Sequence, residues 1–310
     1  MIPRTNVYVL LLNLSLFLSS IAIQAKEKNP PTFGEFETLE EDGGWAKEKT
    51  NFYVKLSAWY LEADEHFTEG TDTAPNTTQS LFNINVYGEY GITDRWTAIL
   101  YAPFFTRATE NDRISKAIGG VLSEGGSINT IGDIDIAIKY GIIQNGKIAL
   151  SAMLLLGLPT GESTPGGPNN TLQTGDGEFN QMLRADLGIP LISGTTNVYG
   201  NVYAGYNNRT NDFSDELRLG AELGLGILDS KWWIIAKADA IQSMNNGVPA
   251  IASTSNSIFV NNAEVFSVTL ETAVYLTKSI GLSAALTNPI SGQLVYSDPA
   301  YSAGIFLDVK

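Results

Sequence analysis

The run Gly132–Ile142, GDIDIAIKYGI, repeats with a period of two. Ile134, Ile136, Ile138, Tyr140 and Ile142 share one parity; Asp133, Asp135, Ala137, Lys139 and Gly141 share the other. Successive side chains of an extended strand point to opposite faces, so this stretch carries one apolar and one charged surface. Gln144-Asn145-Gly146 follows, and predicts a tight hairpin turn built on left-handed residues. The next segment is nearly unbroken in apolar character through Leu150, Met153, Leu154, Leu155 and Leu156. A buried helix would not tolerate the first half, and a water-soluble hairpin would hardly expose the second. The pair asks for oil on one face and water on the other.

The same alternation recurs in twelve segments, at about 51–62, 79–92, 96–109, 129–143, 147–160, 176–190, 197–210, 215–228, 232–244, 262–276, 280–290 and 300–310. Several hold about ten alternating residues, the length of a tilted strand crossing a bilayer. The connections Thr93–Arg95, Gln144–Gly146, Leu191–Thr196, Asp229–Lys231 and Thr277–Ser279 are short. Ala63–Thr78, Glu110–Ile128, Gly161–Gly175, Asn245–Asn261 and Ser291–Pro299 are long and polar, with Asn211–Ser214 the exception. An even strand count with short turns at one end and long loops at the other predicts an all-β fold: a transmembrane antiparallel up-and-down β-barrel of about 12 strands. Both termini then fall at the short-turn, periplasmic end, and residues 51–62 pair with 300–310.

The first 25 residues fit that destination. Arg4, the apolar run VYVLLLNLSLFLSSIAI and Ala25 ahead of Lys26–Lys28 predict a secretory signal peptide over 1–25, with a membrane anchor as the alternative. Beyond it no apolar run reaches the 18 or so residues of a membrane helix. The chain has no cysteine, which excludes a lipidated N-terminal Cys and a disulfide framework. A net formal charge of −14 argues against nucleic acid and against broad attraction to anionic lipid. Residues 26–50, rich in proline and acidic side chains, read as a periplasmic arm or a plug, and 51–310 as the barrel.

Parity assigns the inner face. Its ionisable candidates are Lys55, Glu89, Asp133, Asp135, Lys139, Glu178, Arg184, Asp186, Arg209, Glu216, Arg218, Glu222, Lys237, Asp239, Glu271 and Asp308. Met153 and Leu155 would form a greasy patch among them. Tyr90, Trp96, Tyr140 and Trp232 lie near short turns on the lipid-facing parity, where an aromatic girdle is expected.

The stretch GDIDIAIKYGII…LLLGLPTGE, the loop Thr174-Gly175-Asp176-Gly177-Glu178 and YGNVYAGYNNR at Tyr199–Arg209 resemble the outer-membrane proteins of the phenol-degradation meta-pathway family. The similarity covers roughly 50–310 and is sharp over about 130–210. It implies a barrel in the bacterial outer membrane that passes small, often hydrophobic or aromatic, molecules. It implies no catalytic set. One departure is Lys310, where such barrels usually end in an aromatic residue read by the barrel-assembly machinery. Ser302, Gly304, Leu307 and Val309 keep the polar, glycine and alternating-hydrophobe arrangement of that last-strand signal.

Enzymatic readings find little support. His66, the one histidine, sits among Glu62, Asp64, Glu65 and Glu69 in an acidic stretch with no serine motif for a Ser-His hydrolase. A metal site there is weaker than a solvated acidic loop. GLPTGESTPGGPNN at 157–170 lacks the Gly-Lys-Ser/Thr ending of a phosphate loop. Asn76 and Asn208 match glycosylation sequons, which mean little in a bacterium. The expectation is a passive channel for small solutes, needing no cofactor and no metal, whose partners are membrane lipid and the solute. The rival is a filled barrel that anchors or binds through its loops.

Overall fold

The computed structural model describes residues 43–70, 72–115, 119–248 and 259–310. Residues 1–25, assigned to the signal peptide, and most of the arm 26–50 lie outside them.

Twelve long strands form the wall. They are β1 (Phe52–Phe67), β2 (Thr73–Gly91), β3 (Trp96–Glu110), β4 (Ile134–Ile143), β5 (Ala149–Leu158) and β6 (Asn180–Ile192). They continue as β7 (Asn197–Arg209), β8 (Glu216–Ile227), β9 (Trp232–Ser243), β10 (Glu264–Tyr275), β11 (Ile280–Gln293) and β12 (Ala300–Val309). Each pairs antiparallel with its neighbours in sequence, and β1 pairs with β12 from Phe52↔Val309 to Leu61↔Ala300, closing the sheet. Closure is what a bilayer demands, because an open edge would leave backbone groups unbonded in hydrocarbon at several kcal/mol each. Among the described residues no helix is long and apolar enough to cross a membrane.

The two faces separate as the alternation requires. One outer row runs through Ile138, Leu154, Leu183, Tyr206 and Leu217 on β4 to β8. Leu183 in its middle is 64% exposed, as a side chain meant for lipid should be. The opposite parity of the same strands is buried: Lys139, Ser151, Met153, Arg184, Asp186 and Asn207 face inward. Met153 and Leu155 take the inward parity of β5, and Leu155 lines an internal cavity.

Some boundaries differ from the sequence expectation. β1 and β2 run on to Phe67 and Thr73, so the stretch expected as a loop at 63–78 is mostly a tall hairpin, with a bulge between Ala63 and Glu65. Backbone pairing continues there although the hydrophobic period stops. The strand expected at 129–143 is split: Gly126–Thr130 pairs with the upper part of β3, and β4 begins at Ile134. Pro103 of β3 lies opposite the break and has no N–H to donate, although its carbonyl accepts from Gly132. β6 starts at Asn180, which leaves Glu178 in a loop rather than in the expected strand 176–190.

The Asn-Gly turn is a further correction. Neither Asn145 nor Gly146 adopts left-handed backbone, and the connection spans residues 144–148 rather than the expected 144–146. A bulge between Gly141 and Ile143 widens it. The Gln144 side chain closes it instead, donating to the carbonyls of Ile143 and Leu150. A longer connection has no need of the mirror-image turn that Asn-Gly favours.

Candidate functional site

The interior is built in layers from the short-turn end upward. Residues 43–50 cross the inner wall at that end and form its floor. Ser151 Oγ donates to Gly43 O, Gln144 bonds to both Gly44 O and Ala46 N, and Lys139 Nζ donates to Trp45 O at 3.4 Å. Farther along, Lys47 N donates to Thr97 Oγ1 and Lys49 N to Asp94 Oδ1. The wall is shaped to receive this segment. A Cβ at Gly188 would strike the Trp45 ring, and one at Gly91 would strike the Glu48 carbonyl. Trp45 meets Tyr199 edge-on at 6.3 Å, joining a buried cluster of Tyr53, Tyr199, Trp233, Ile235, Tyr275 and Phe306.

Above this floor lies a polar chamber of about 370 Å³. Lys237 bridges Glu271 at 2.9 Å and Glu222 at 3.6 Å, and Lys55 reaches Glu271 at 3.3 Å. Arg184 Nε donates to Asp186 at 2.7 Å, with the guanidinium 4.0 Å from the centre of the Tyr203 ring. Tyr203 in turn donates to Asp239. Charges of both signs are thus compensated within the wall, as burial requires.

A second chamber, about 320 Å³, lies toward the loop end. Trp59 and Tyr101 line both chambers and mark the junction between them. The upper one is lined by Asp133, Asp135, Asn207 and Arg218, with Leu81, Leu155, Met182 and Phe259 supplying apolar surface.

The roof is pinned by one arginine. Arg209 on β7 contacts Asp176 at 2.9 Å, Glu178 at 2.7 Å and Glu216 at 2.7 Å, and Arg218 binds Glu216 at 2.7 Å. Asp176 and Glu178 belong to the 159–179 connection, so these bonds fasten that loop over the barrel. Asp133 accepts from Gly161 N and Asp176 N, fastening the same loop from β4's side. Burial holds the carboxyls of Asp133, Asp176 and Glu178 above the ordinary range, against hydrogen bonds and, for the latter two, the Arg209 charge. Leu172 from the loop packs on Leu81 and Ala108.

The structure therefore gathers the ionisable candidates into separate groups: Glu178, Arg209, Glu216 and Arg218 at the roof; Lys55, Glu222, Lys237 and Glu271 below; the Arg184–Asp186 pair beside Asp239. Lys139 is drawn down to the floor, Glu89 accepts from Tyr87, and Asp308 accepts from Tyr275 and faces Lys47. Tyr90, Trp96 and Trp232 are exposed on the outer face beside short turns, and Tyr140 packs against Trp96 with ring centres 4.6 Å apart and planes inclined at 45°. His66 forms an isolated bridge with Tyr296 on the loop side. A search confined to ionisable side chains missed Trp59, Tyr101, Tyr199 and Tyr203. They share the inward parity, so the same alternation would have found them.

A closed barrel of twelve antiparallel strands, apolar outside and polar within, is the architecture of bacterial outer-membrane proteins, and this chain is an outer-membrane β-barrel. Its fold is similar to that of an outer-membrane channel from Pseudomonas putida F1, with TM-score 0.55 and 14% identity over 91% of this chain and 100% of that one. Weaker likenesses include the NanC porin (TM-score 0.47, 9% identity, 83% of this chain and 99% of that one). Another is the transport unit of the autotransporter AIDA-I from Escherichia coli (0.48, 7%, 95% and 97%). No protein-family model matches the sequence, and no curated protein sequence is significantly similar to it.

Proposed function

We propose that this barrel is an outer-membrane channel for small solutes, whose path is the two chambers in series. The observation that carries the reading is that the two cavities adjoin along the barrel interior, with Trp59 and Tyr101 lining both. The solute would meet the inward groups Asp133, Asp135, Lys139, Glu178, Arg184, Asp186, Arg209, Glu216, Arg218, Glu222, Lys237, Asp239 and Glu271. Charged walls set which solutes enter and leave. The apolar surface of Leu155, Met182 and Trp59 suits molecules with a hydrophobic or aromatic body, in keeping with the resemblance to the phenol-degradation meta-pathway family. Tyr90, Trp96, Tyr140 and Trp232 would seat the short-turn end at the lipid interface. The last-strand pattern Ser302–Val309 would be read by the assembly machinery after removal of residues 1–25.

In this reading residues 43–50 and the 159–179 loop are the two constrictions that a passing solute must displace. A filled barrel is the second reading, favoured by the pairing of the interior charges. Planar bilayers and liposome swelling separate the two. A channel gives stepwise conductance and solute uptake; a filled barrel gives neither at any voltage, even after residues 26–50 are deleted.

A further inference from the structure

Asn-Gly occurs twice in the chain, at Asn145-Gly146 and Asn246-Gly247, each in a connection between strands. The dipeptide is chemically labile, because the glycine nitrogen, unshielded by a Cβ, can attack the asparagine side-chain carbonyl. Exposure does not separate the two sites, since both asparagines lie at the surface. Hydrogen bonding does. Asn246 Nδ2 donates to Asp215 Oδ2 at 2.7 Å, its Oδ1 accepts from Asp215 N at 2.9 Å, and Gly247 N donates to Ser214 Oγ at 2.8 Å. The carbonyl to be attacked and the nitrogen that would attack it are thus both held. A Cβ at Gly247 would lie 2.3 Å from the Asp212 carbonyl oxygen, so that turn also has little room to rearrange. At the first site, among the described residues, neither the Asn145 side chain nor the Gly146 N–H has a hydrogen-bond partner. A Cβ at Gly146 would meet nothing nearer than the Ile148 carbonyl oxygen at 3.5 Å, so this turn is open. Its neighbour Gln144 is the residue that grips Gly44 and Ala46 of the floor.

We infer that Asn145 is a site of spontaneous deamidation, and that its product loosens the turn that grips the floor. The Gly146 nitrogen gives its proton to solvent and bonds to Asn145 Cγ, the side-chain nitrogen leaves as ammonia, and a succinimide ring closes. Water then opens the ring at either carbonyl. Opening at Cγ gives aspartate. Opening at the main-chain carbonyl gives isoaspartate, whose backbone runs through the side chain and is one carbon longer. The net change takes up one water and releases one ammonia, with no oxidant or reductant. Either product sets a carboxylate beside Gln144, and isoaspartate lengthens the connection on which Gln144 is mounted. None of this depends on conduction through the barrel.

The test ages the full-length protein, folded in detergent micelles, at mildly alkaline pH. Peptide mass spectrometry maps the deamidation, and labelling by isoaspartate methyltransferase reports the isomer. Asn145 should convert at least about tenfold faster than Asn246, because breaking even one bond at Asn246 before attack thins the reactive conformer by roughly that factor. In denaturant the two should convert at similar rates. Gly146→Ala, for which the turn has room, should slow Asn145 and leave Asn246 unchanged. Hydrogen exchange at Ala46 should quicken in the aged wild type and not in aged Gly146→Ala. Equal rates at the two sites in the folded protein, faster conversion of Asn246, or the same contrast persisting in denaturant overturns the site. Unchanged exchange at Ala46 after full conversion overturns its link to the floor. None of these outcomes depends on a variant folding.

Discussion

Gln144 Oε1 accepts the amide hydrogen of Ala46 at 2.7 Å, while its Nε2 donates to the carbonyl of Gly44 at 3.0 Å. One carboxamide in a turn thus reads the backbone on both sides of Trp45, as a neighbouring strand would. Gln144→Ala should release this stretch from the wall, at a stability cost of about 1 kcal/mol per lost bond. Hydrogen exchange at Ala46 should quicken, and single-channel conductance should rise. Unchanged exchange at Ala46 would show that the floor is held elsewhere.

Arg209 offers the severest single substitution. Its guanidinium is buried among Asp176, Glu178 and Glu216. Arg209→Met keeps the bulk and leaves Asp176 and Glu178 without their cation, while Glu216 keeps Arg218, so a loss of about 3–5 kcal/mol is expected. Urea unfolding in detergent measures it. A loss under about 1 kcal/mol would mean that the roof does not depend on this residue.

The docking of the 159–179 loop should tighten in acid. Asp133, Asp176 and Glu178 have their carboxyl pKa values raised by burial, so the docked state binds protons more firmly than the undocked one. For a raised carboxyl the linkage is unfavourable at neutral pH and is relieved as pH falls through the docked value toward the free value of about 4. Arg209, which faces Asp176 and Glu178, opposes the shift, while the negative charge of Glu216 adds to it at Asp176. Protection factors at Gly161 and Asp176 should therefore rise between neutral pH and that limit, less so in Asp133→Asn. A fall over that range would contradict the assignment.

Leu183 lies in the middle of the outer row. Leu183→Arg should destabilise the folded barrel by about 2–4 kcal/mol in bilayers if it sits near the midplane. Folding titrations in lipid vesicles read this directly, and a neutral result would place the residue away from hydrocarbon.

Trp96 and Tyr140 are paired across β3 and β4, with ring centres 4.6 Å apart. A double-mutant cycle to alanine should give a coupling of about 0.5–1.5 kcal/mol. Zero coupling would leave them as independent lipid anchors.

The wall was legible in the sequence because its determinant is local. Each residue's parity decides oil or water, and Ile134 to Ile142 state the rule in nine residues. The pairing of 51–62 with 300–310 followed from the same rule together with an even strand count. The tall β1–β2 hairpin escaped it because backbone pairing beyond Ala63 needs no hydrophobic alternation. The chamber roof escaped for another reason: Arg209 meets Asp176 and Glu178 only after the loop folds back, a relation that no spacing encodes. The floor was hidden likewise. Nothing in GGWAK announces that Gln144 waits a hundred positions later to hold its backbone.

The seam between β1 and β12 has a kinetic consequence. Phe52 pairs with Val309 across almost the whole length of the barrel sequence, so the rungs that close the ring carry the largest loop-closure cost. Folding of such a topology is slow, and so is its reversal, because no single hairpin can leave without opening the whole ring. Endurance in this molecule is therefore set by the height of a barrier as much as by the depth of a well.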